Sequence, residues 1–324
     1  MRCLITGGSG YCGSVLVPKL LAEGHRVTVL DAQWFGRNLD SHERLDFCLD
    51  DIRAVPGSQW ERAGGMRDYD AIIHLAGIAN DPCGELDAKL TWEVNVLATL
   101  RLAECAVRAG VKQFIFASSA SVYGLKDNKP VVEETELEPV SDYNRTKMTA
   151  ERVLLSYGDR MAVQLVRPAT VCGLSPRMRF DTMVNMLTAQ ALKNGKITAH
   201  CGEHGAGLMR PNTHIEDVTD LYVFMLDRPY LTGAWNAGFE NISAMDTAKL
   251  IAEEIGAEIE ITTVKDKRSY AVDSSKLLAV GFSPRHSVRE AIREIAAAWK
   301  EGRVKMEPRC MNLAWMQSQG LVQA

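Results

Sequence analysis

The sequence predicts an α/β fold built on a doubly wound parallel sheet, with a smaller α/β lobe beside it. Apolar strands and amphipathic helices alternate through the first half of the 324-residue chain, which is typical of this class. The first predicted strand, Arg2–Gly7, runs straight into the glycine-rich stretch GGSGYCG and then into a predicted helix, Ser14–Glu23. A later strand candidate, Asp70–Gly77, is apolar without polar alternation, as expected of a strand buried on both faces.

The same alternation gives the remaining elements in order. The other predicted strands are Arg26–Leu30, Leu45–Leu49, Gln113–Ser119 and Met161–Pro168. The other predicted helices are Leu90–Ala109, Ser141–Tyr157 with Ser141 or Asp142 as its N-cap, and, after the pattern loosens near Leu174, Asp181–Asn194, Ile215–Leu226, Ala244–Ile255 and Ser287–Glu301. We therefore expect a dinucleotide-binding domain at 1–174 and a substrate-binding lobe mainly at 175–324, partly interwoven with the first. The tail 310–324 contains Trp315, Met316 and Leu321 and is expected to dock on the body or on a partner, but no role is predicted for it.

The loop after the first strand has the glycine spacing of a dinucleotide-binding site. Gly8, Gly10 and Gly13 fit G-x-G-x-x-G, and Gly7, Gly10 and Gly13 fit T-G-x-x-G-x-x-G, so both registers stay open. Glycine allows a sharp turn and a close approach of the backbone to a pyrophosphate. The helix after this loop directs its free N–H groups at the phosphates.

The second strand ends in an acidic residue that bears on the choice of dinucleotide. Asp31 lies about where a carboxylate would accept hydrogen bonds from the ribose diol of the adenosine. The same carboxylate would repel a 2′-phosphate, which favours NAD over NADP. Arg37 lies close enough in sequence to leave NADP open.

Composition and charge bear on the binding partners and the location expected for this protein. A formal net charge of −4 and a pI near 6.0 give no electrostatic support for a nucleic-acid partner. The chain starts with a strand rather than a signal peptide, and no apolar run approaches a membrane span. The eight cysteines are scattered without C-x-x-C spacing. We expect a cytoplasmic protein with reduced thiols and no metal site.

Candidate catalytic residues cluster around the fifth predicted strand. Tyr143 and Lys147 are four apart and share one face of a predicted helix, and Ser118 and Ser119 end the strand before it. A tyrosine acts as a base only when its pKa falls from about 10, and a neighbouring ammonium lowers that pKa. A serine hydroxyl can then hold the substrate oxygen that becomes a carbonyl.

Together these motifs resemble the extended short-chain dehydrogenase/reductase superfamily, in particular its nucleotide-sugar epimerases and dehydratases of the UDP-galactose 4-epimerase type. The resemblance covers nearly the whole chain. The motifs that carry it are TGGSGYCG (6–13), LDDIR (49–53), HLAG (74–77), NVLATLRLAECAVRAGVKQFIFASSASVYG (95–124), YNRTK (143–147), VRPATVCG (166–173) and RPNTHIEDV (210–218).

The resemblance implies roles for individual residues. Tyr143 would be the base, Lys147 would bind the nicotinamide ribose and lower the pKa of Tyr143, and Ser119 would be the catalytic serine. The residues expected to bind NAD are Gly7, Gly10, Tyr11, Cys12, Gly13, Asp31, Asp51, Ile52, Leu75, Ala76, Gly77, Asn95, Ser118, Tyr143, Lys147, Pro168 and Thr170. The residues expected at the substrate are Asn80, Ser121, Arg177, Asn185 and Arg210, with Arg179 as a further candidate for phosphate oxygens. Asn80 is equally well explained as the start of an Asx-Pro turn.

One departure from the family pattern bears on the reaction. The 4,6-dehydratases carry Asp-Glu directly after the catalytic hydroxyl residue, and this chain has Ala120 and Ser121 there. We therefore predict an NAD-dependent nucleotide-sugar epimerase, most simply a 4-epimerase, that works through a transient keto-sugar and enzyme-bound NADH. An NAD(P)-dependent keto-sugar reductase or dehydrogenase, a dehydratase, and an idle NAD-binding scaffold remain alternatives. The resemblance also implies a homodimer that pairs the helices Leu90–Ala109 and Ser141–Tyr157.

Three polar features are predicted to lie outside the chemistry. His74 belongs to the HLAG strand and is expected to be a packed strand residue, and His214 is expected to be structural at a helix start. The acidic run Glu133–Glu138 is expected to be a solvated loop.

Overall fold

The fold is that of a computed structural model, which describes residues 1–55, 65–66, 68–126, 129–201, 208–263 and 269–321. The strands of this part, in chain order, are β1 Arg2–Thr6, β2 Arg26–Asp31, β3 Leu45–Leu49, β4 Ala71–His74, β5 Gln113–Ala117, β6 Pro130–Val131, β7 Ala162–Pro168, β8 Thr170–Cys172, β9 Lys196–Cys201, β10 Met209–His214, β11 Gly233–Ala237, β12 Glu240–Ser243, β13 Glu258–Thr263 and β14 Ala271–Val272. The helices are α1 Gly13–Ala22, α2 Asp81–Leu86, α3 Ala88–Trp92, α4 Ala98–Ala109, α5 Asp142–Leu155, α6 Met183–Asn194, α7 Ile215–Leu226, α8 Ala244–Ile255, α9 Ser275–Ala279, α10 Val288–Lys300 and α11 Asn312–Ser318.

Seven parallel strands form the central sheet, in the order β3-β2-β1-β4-β5-β7-β11. Ile5 of β1 lies opposite Val29 of β2 on one side and Ile73 of β4 on the other. The strand order reverses between β1 and β4, which is the point where open α/β sheets bind ligands. The predicted doubly wound α/β fold is confirmed.

Side chains of the sheet alternate between two apolar layers. In β1, Leu4 faces a layer that includes Leu102 of α4 and Leu154 of α5, whereas its neighbours Cys3 and Ile5 face a layer with α1 and α7. All these side chains are buried. Both faces of the sheet are therefore covered, which explains the continuous apolar sequences of its central strands.

The second half of the chain builds three smaller sheets and a separate core. The small sheets are β12-β10-β8, β13-β9 and β14-β6, and the core between α6, α8 and α10 contains Val184, Ile251 and Ile292. The same half also contributes to the first lobe, because β11 pairs with β7 and α7 packs on α1. The division of the chain at residue 174 stays a prediction. Within the described part of the chain, every helix is too short or too polar to cross a lipid bilayer.

Two regions differ from the elements that the sequence predicts. The predicted helix Leu90–Ala109 is made of α3, a π-helical turn at Glu93–Leu97 and α4. The helix α2 is short, contains a proline and a glycine, and was not predicted. By contrast, α5 begins after Ser141, whose side chain accepts a hydrogen bond from the backbone N–H of Asn144, as the N-cap prediction required.

A buried ion pair ties α5 to the central sheet. The guanidinium of Arg167 on β7 donates to both carboxylate oxygens of Glu151, over 2.9 and 2.6 Å. The two side chains are only 6% and 2% exposed. The same guanidinium donates to the Tyr123 hydroxyl and to the carbonyl of Glu133. Pairing and hydrogen bonding compensate the desolvation of both charges.

The acidic run Glu133–Glu138 is only partly a solvated loop. Glu134 and Glu136 are exposed, but Glu133 is buried and accepts a hydrogen bond of 2.8 Å from the backbone N–H of Asn236. The expectation was therefore wrong for Glu133, which helps to join the segment before α5 to β11.

Removing one partner of the buried pair should destabilise the protein strongly. In Glu151→Ala the guanidinium of Arg167 stays buried without a counter-ion, and we expect a loss of about 3–5 kcal/mol in the free energy of unfolding. Urea unfolding followed by circular dichroism measures it. Glu301→Ala removes a pair with Arg303 in which both side chains are 56% exposed, and should change stability by less than about 1 kcal/mol. Equal effects of the two substitutions would contradict the assignment.

Candidate active site

A cavity of about 610 Å³ opens at the carboxyl ends of the central strands. Residues located after β1, β2, β4, β5 and β7 form one wall. The opposite wall comes from the second half of the chain and includes 177, 179, 210, 222 and 270. The cavity thus lies where a doubly wound sheet places its ligand, between the two halves of the chain.

The glycine loop lies directly against the end of β4. Gly7 has a φ of +72°, and a Cβ there would come within 2.6 Å of the backbone nitrogen of Ala76. A Cβ on Gly13 would come within 2.6 Å of the Gly7 carbonyl oxygen. Both positions therefore require glycine for backbone packing alone. The tight turn brings the N-terminus of α1, with its free N–H groups, to the cavity wall.

The carboxylate of Asp31 lines the same end of the cavity. Its Oδ2 accepts a hydrogen bond of 2.9 Å from the N–H of Ser9, and its Oδ1 accepts one of 2.7 Å from the N–H of Gln33. Burial raises the pKa of Asp31, while these hydrogen bonds act in the opposite direction. The hydroxyl of Ser9 is buried and has no hydrogen-bond partner among the described residues. A glycine turn, a helix N-terminus, a carboxylate at the cavity wall and, among the described residues, an unpaired hydroxyl together fit a dinucleotide.

Tyr143 and Ser119 meet at the other end of the cavity. Burial raises the pKa of Tyr143, whereas hydrogen bonding with Ser119 and then the charge of Arg179 lower it. The Ser119 hydroxyl also lies 2.7 Å from the Ser121 hydroxyl, which in turn donates to Asn144. Ser119 has one proton and two candidate acceptors, so turning that proton toward Tyr143 stabilises the phenolate.

Lys147 lies one helical turn beyond Tyr143, at the floor of the cavity. Its ammonium donates a hydrogen bond of 2.8 Å to the carbonyl of Ala117 and lies 4.8 Å from the ring centroid of Phe116. Burial lowers the pKa of Lys147 to about 8, against the opposing charge of Glu151. A Cβ on Gly77 would lie 3.4 Å from the Lys147 Nζ, so the glycine keeps this nitrogen at the cavity surface.

A second cluster of charges lines the cavity close enough to Tyr143 to act on its pKa. Arg179 makes two hydrogen bonds of 3.0 Å to the carboxylate of Asp181, which also accepts one of 3.0 Å from the amide of Asn80. Burial raises the pKa of Asp181, but the charge and hydrogen bonds of Arg179 outweigh burial and hold it below its usual range. Asn80 also caps α2 by accepting from the N–H of Cys83. It is thus both a turn residue and part of the cavity wall.

Most of the residues proposed from the sequence line this cavity, but two lie behind its wall. The proposed residues in the wall are Gly7, Gly10, Tyr11, Cys12, Gly13, Asp31, Asp51, Ile52, Leu75, Ala76, Gly77, Asn80, Ser118, Ser119, Ser121, Tyr143, Lys147, Pro168, Thr170, Arg177 and Arg210. Asn95 instead bonds to the N–H and carbonyl of Ile78 and to Thr146. Asn185 bonds to the N–H of Gly173 and the hydroxyl of Tyr11. Both are buried, so they shape the wall from behind.

The model of the NAD-dependent epimerase/dehydratase family matches residues 3–238 of this chain. The chain belongs to this family. The protein is therefore an NAD-dependent enzyme of the epimerase/dehydratase type, and the predicted family and cofactor are confirmed. The residues identified above fit that cofactor, because the match includes the glycine loop, Asp31, Tyr143 and Lys147.

Known relatives of this epimerase/dehydratase chain include both kinds of enzyme. A UDP-glucose 4-epimerase from Lactobacillus helveticus is 27% identical over 93% of this chain and 96% of its own. The crystal structure of the Thermus thermophilus UDP-glucose 4-epimerase with NAD has a TM-score of 0.82 and 26% identity, covering 93% of this chain and 99% of that one. The dTDP-glucose 4,6-dehydratase DesIV from Streptomyces venezuelae, solved with NAD bound, also has a TM-score of 0.82, with 25% identity over 94% and 98%.

Several cavity residues of this epimerase/dehydratase were not proposed from the sequence. They are Trp34, Phe35, Asp81, Asn144, Asp181, Tyr222, Tyr270 and Asn312, among others. Asn312 comes from the C-terminal tail, of which residues 322–324 lie outside the described residues. The cluster of Trp315, Met316 and Leu321 was the one signal for this docking, and Met316 is buried on the first lobe. His74 is packed as expected, with its ring nitrogens bonded to Thr6 and Thr99.

The lowered pKa of Lys147 predicts a specific dependence of stability on pH. Between pH 8 and 10.5 the unfolded chain holds a proton on this amine that the folded chain has lost, so the wild type gains stability relative to Lys147→Met as the pH rises. The gain should reach on the order of 3 kcal/mol across that window.

Unfolding by urea at several pH values measures this difference, and Lys193→Met is the matched control because Lys193 is exposed on α6. Its stability should parallel that of the wild type throughout. Parallel curves for the wild type and Lys147→Met from pH 7 to pH 10.5 would contradict the buried position of the ammonium.

Proposed function

We propose that the protein is an NAD-dependent nucleotide-sugar epimerase, most simply a 4-epimerase. The observation that carries this proposal is that Ser119, Tyr143 and Lys147 line one cavity, while the two residues directly after Ser119 are not an acid and a base. Ala120 is fully buried and Ser121 is engaged with Asn144, so neither position supplies the acid and base that the 4,6-dehydratases carry there. An epimerase needs only one group that takes up a proton and returns it.

Tyr143 and Ser119 account for the proton transfers of that reaction. Bound NAD supplies the hydride acceptor and then the hydride donor. Tyr143 takes the proton of the sugar hydroxyl as that carbon becomes a ketone, and returns it to the same oxygen when the ketone is reduced from its other face. Ser119 holds this oxygen throughout, and the buried Lys147 ammonium keeps a positive charge at the cavity floor. No proton is gained or lost over the cycle.

The substrate contacts are proposed on both walls of the cavity. Arg210 lines the wall that comes from the second half of the chain and offers a guanidinium fork that suits phosphate oxygens. Asn80 and Ser121 line the other wall, after β4 and β5, and would contact the sugar. Asn185 would act indirectly, since it holds Tyr11 and the backbone of Gly173. These groups indicate the class of substrate: a sugar joined to a nucleoside diphosphate.

The test is an assay of the purified protein against UDP-, GDP-, CDP- and dTDP-sugars without added cofactor. We expect a product of unchanged mass and inverted configuration, seen by mass spectrometry and NMR. Loss of water would establish a dehydratase instead. Turnover that requires added NAD(P)H or NAD(P)⁺ in stoichiometric amounts would establish a reductase or dehydrogenase.

Tyr143→Phe tests the proposed base directly. It should lower kcat by about 10²- to 10⁴-fold, because the substitution removes the hydroxyl proposed to take the proton, while the protein still carries NAD. Tyr230→Phe is the control, since Tyr230 is 73% exposed and is not among the residues that line the cavity. Unchanged turnover in Tyr143→Phe would exclude this mechanism.

We also propose a homodimer that pairs the helices α4 and α5. Two large apolar side chains support it: Leu97, just before α4, is 47% exposed, and Leu155, at the end of α5, is 49% exposed. Light scattering at micromolar concentration should give twice the mass of the 35.8 kDa chain, and a single-chain mass would overturn the proposal. Leu97→Lys should shift the mass to that of one chain. The cytoplasmic location stays a prediction.

A further inference from the structure

Among the described residues, one buried cation of the cavity wall has no carboxylate partner. Arg177 is 4% exposed and lines the cavity, and among the described residues no carboxylate lies within ion-pair distance of its guanidinium. Its Nη2 donates to the amide oxygen of Asn312 and, over 3.4 Å, to the carbonyl of Arg309, while its Nε has no partner. Burial and the nearby charge of Arg179 lower the pKa of Arg177 to about 10. A buried charge in this situation is unfavourable until an anion joins it.

Its neighbour Arg179 shows the contrast. Arg179 is satisfied by the two-pronged pair with Asp181, which Asn80 completes from the other side. That cluster is closed without any ligand. The two arginines are two residues apart in the chain but differ in their charge partners. Arg179 is already paired with a carboxylate, whereas Arg177 can still accept an anion.

The backbone around Arg177 is fastened to the glycine loop. The Arg177 N–H donates to the Ser175 hydroxyl over 3.2 Å, and that hydroxyl donates to the Tyr11 carbonyl over 2.8 Å. The Ser14 hydroxyl at the start of α1 lies 2.9 Å from the Ser175 hydroxyl. Arg177 is thus positioned by the turn whose N–H groups face the cavity.

The guanidinium also packs on the loop after Asp31. It lies 4.0 Å from the ring centroid of Phe35. This loop is joined to the glycine loop by Asn38, whose amide donates to the Ser9 carbonyl over 2.9 Å. The charge of Arg177 acts to lower the pKa of Asp31 against the effect of burial, so the two side chains share one end of the cavity.

The C-terminal segment 309–315, which we call the C-terminal clamp, holds this end together. Asn312 accepts the hydrogen bond from Arg177, and the Arg309 guanidinium donates to the Asn38 side chain over 3.3 Å. The Trp315 indole N–H donates to the Trp34 carbonyl over 2.7 Å. The clamp therefore fixes both Arg177 and the loop on which it stacks.

We propose that Arg177 binds the diphosphate of the dinucleotide, and that the C-terminal clamp holds Arg177 and the 34–38 loop in place for it. A planar guanidinium matches two phosphate oxygens, and a diphosphate brings the missing negative charge. The sequence suggested the diphosphate of the substrate for Arg177, which is the same chemistry from another source. The contacts with the glycine loop and the Asp31 loop favour the dinucleotide. This inference goes beyond the proposed reaction, because it concerns how the cofactor is retained.

The first test compares Arg177→Met and Arg177→Lys with the wild type. The NAD that co-purifies with each protein is measured after denaturation, and the Kd values of NAD, ADP and adenosine are measured by calorimetry on nucleotide-free protein. We expect NAD and ADP to bind on the order of 10- to 100-fold more weakly to Arg177→Met, with a smaller loss for Arg177→Lys, which lacks the fork. Adenosine, which has no phosphate, should bind as to the wild type.

Two results would overturn the proposal, and neither depends on which sugar reaction the enzyme catalyses. If UDP binding is weakened and NAD and ADP binding is unchanged, Arg177 serves the substrate diphosphate. If the nucleotide-free Arg177→Met protein melts well below the wild type and binds NAD normally, the side chain is only structural. The proposal expects the opposite for melting: little change without nucleotide, and a smaller rise in Tm on adding NAD.

The clamp is tested at two positions, Asn312 in the cavity wall and Trp315 outside the cavity lining. Asn312→Ala and Trp315→Phe each remove one hydrogen bond that holds Arg177 or its loop, and each should weaken NAD binding about 3- to 10-fold. Gln317→Ala is the matched control, because Gln317 is exposed on the same helix, α11. Equal NAD binding in all three variants would show that the C-terminal clamp has no part in holding the cofactor.

Discussion

The geometry of the active site depends on the buried pair between Glu151 and Arg167. Glu151 lies one helical turn beyond Lys147 on α5, which in turn lies one turn beyond Tyr143, so fixing the carboxylate fixes the rotation and height of the helix. The hydroxyl of Ser118 donates to the same carboxylate over 2.5 Å, which joins the end of β5 to the pair. The ion pair therefore fixes the positions of Tyr143, Lys147 and the end of β5 relative to one another. Because the charges of Glu151 and Arg167 are both desolvated, replacing either residue is expected to be costly.

The sequence predicted six of the seven central strands to within a few residues, and the inner ones are buried on both faces and leave a continuous apolar signal. It missed the helix α2, where a proline, a glycine and only six residues leave no periodic pattern. It did not identify β11 either, since Gly233–Ala237 carries an asparagine and a tryptophan whose places in the sheet depend on partners elsewhere. Asn236 is satisfied by Tyr123 and by the carbonyl of Val131, contacts that lie more than a hundred residues away.

Candidate site residues could be named from motifs, but the direction of each side chain could not. Asn95 and Asn185 were predicted to contact ligands, but they lie behind the cavity wall, where each completes the hydrogen bonding of buried backbone groups. Glu133 and Glu134 are adjacent glutamates, yet Glu133 is buried and Glu134 is exposed. The effect of charge on Tyr143 also needed the structure: the Lys147 ammonium bonds to the Ala117 carbonyl, and the charge of Arg179 also lowers the pKa of Tyr143.

Charge partners, rather than residue types, distinguish the two arginines of the cavity wall. The whole chain carries a net charge of −4, so the attraction of a doubly charged diphosphate has to come from local groups. The charge of Arg179 is paired with Asp181 and also acts on Tyr143. Among the described residues, the hydrogen-bond acceptors of Arg177 are neutral, namely Asn312 and the Arg309 carbonyl, which orient a guanidinium without neutralising it. An anion site requires a cation that is oriented, removed from water and not neutralised by a carboxylate. The C-terminal clamp supplies the neutral acceptors that orient Arg177, so the clamp belongs to that site.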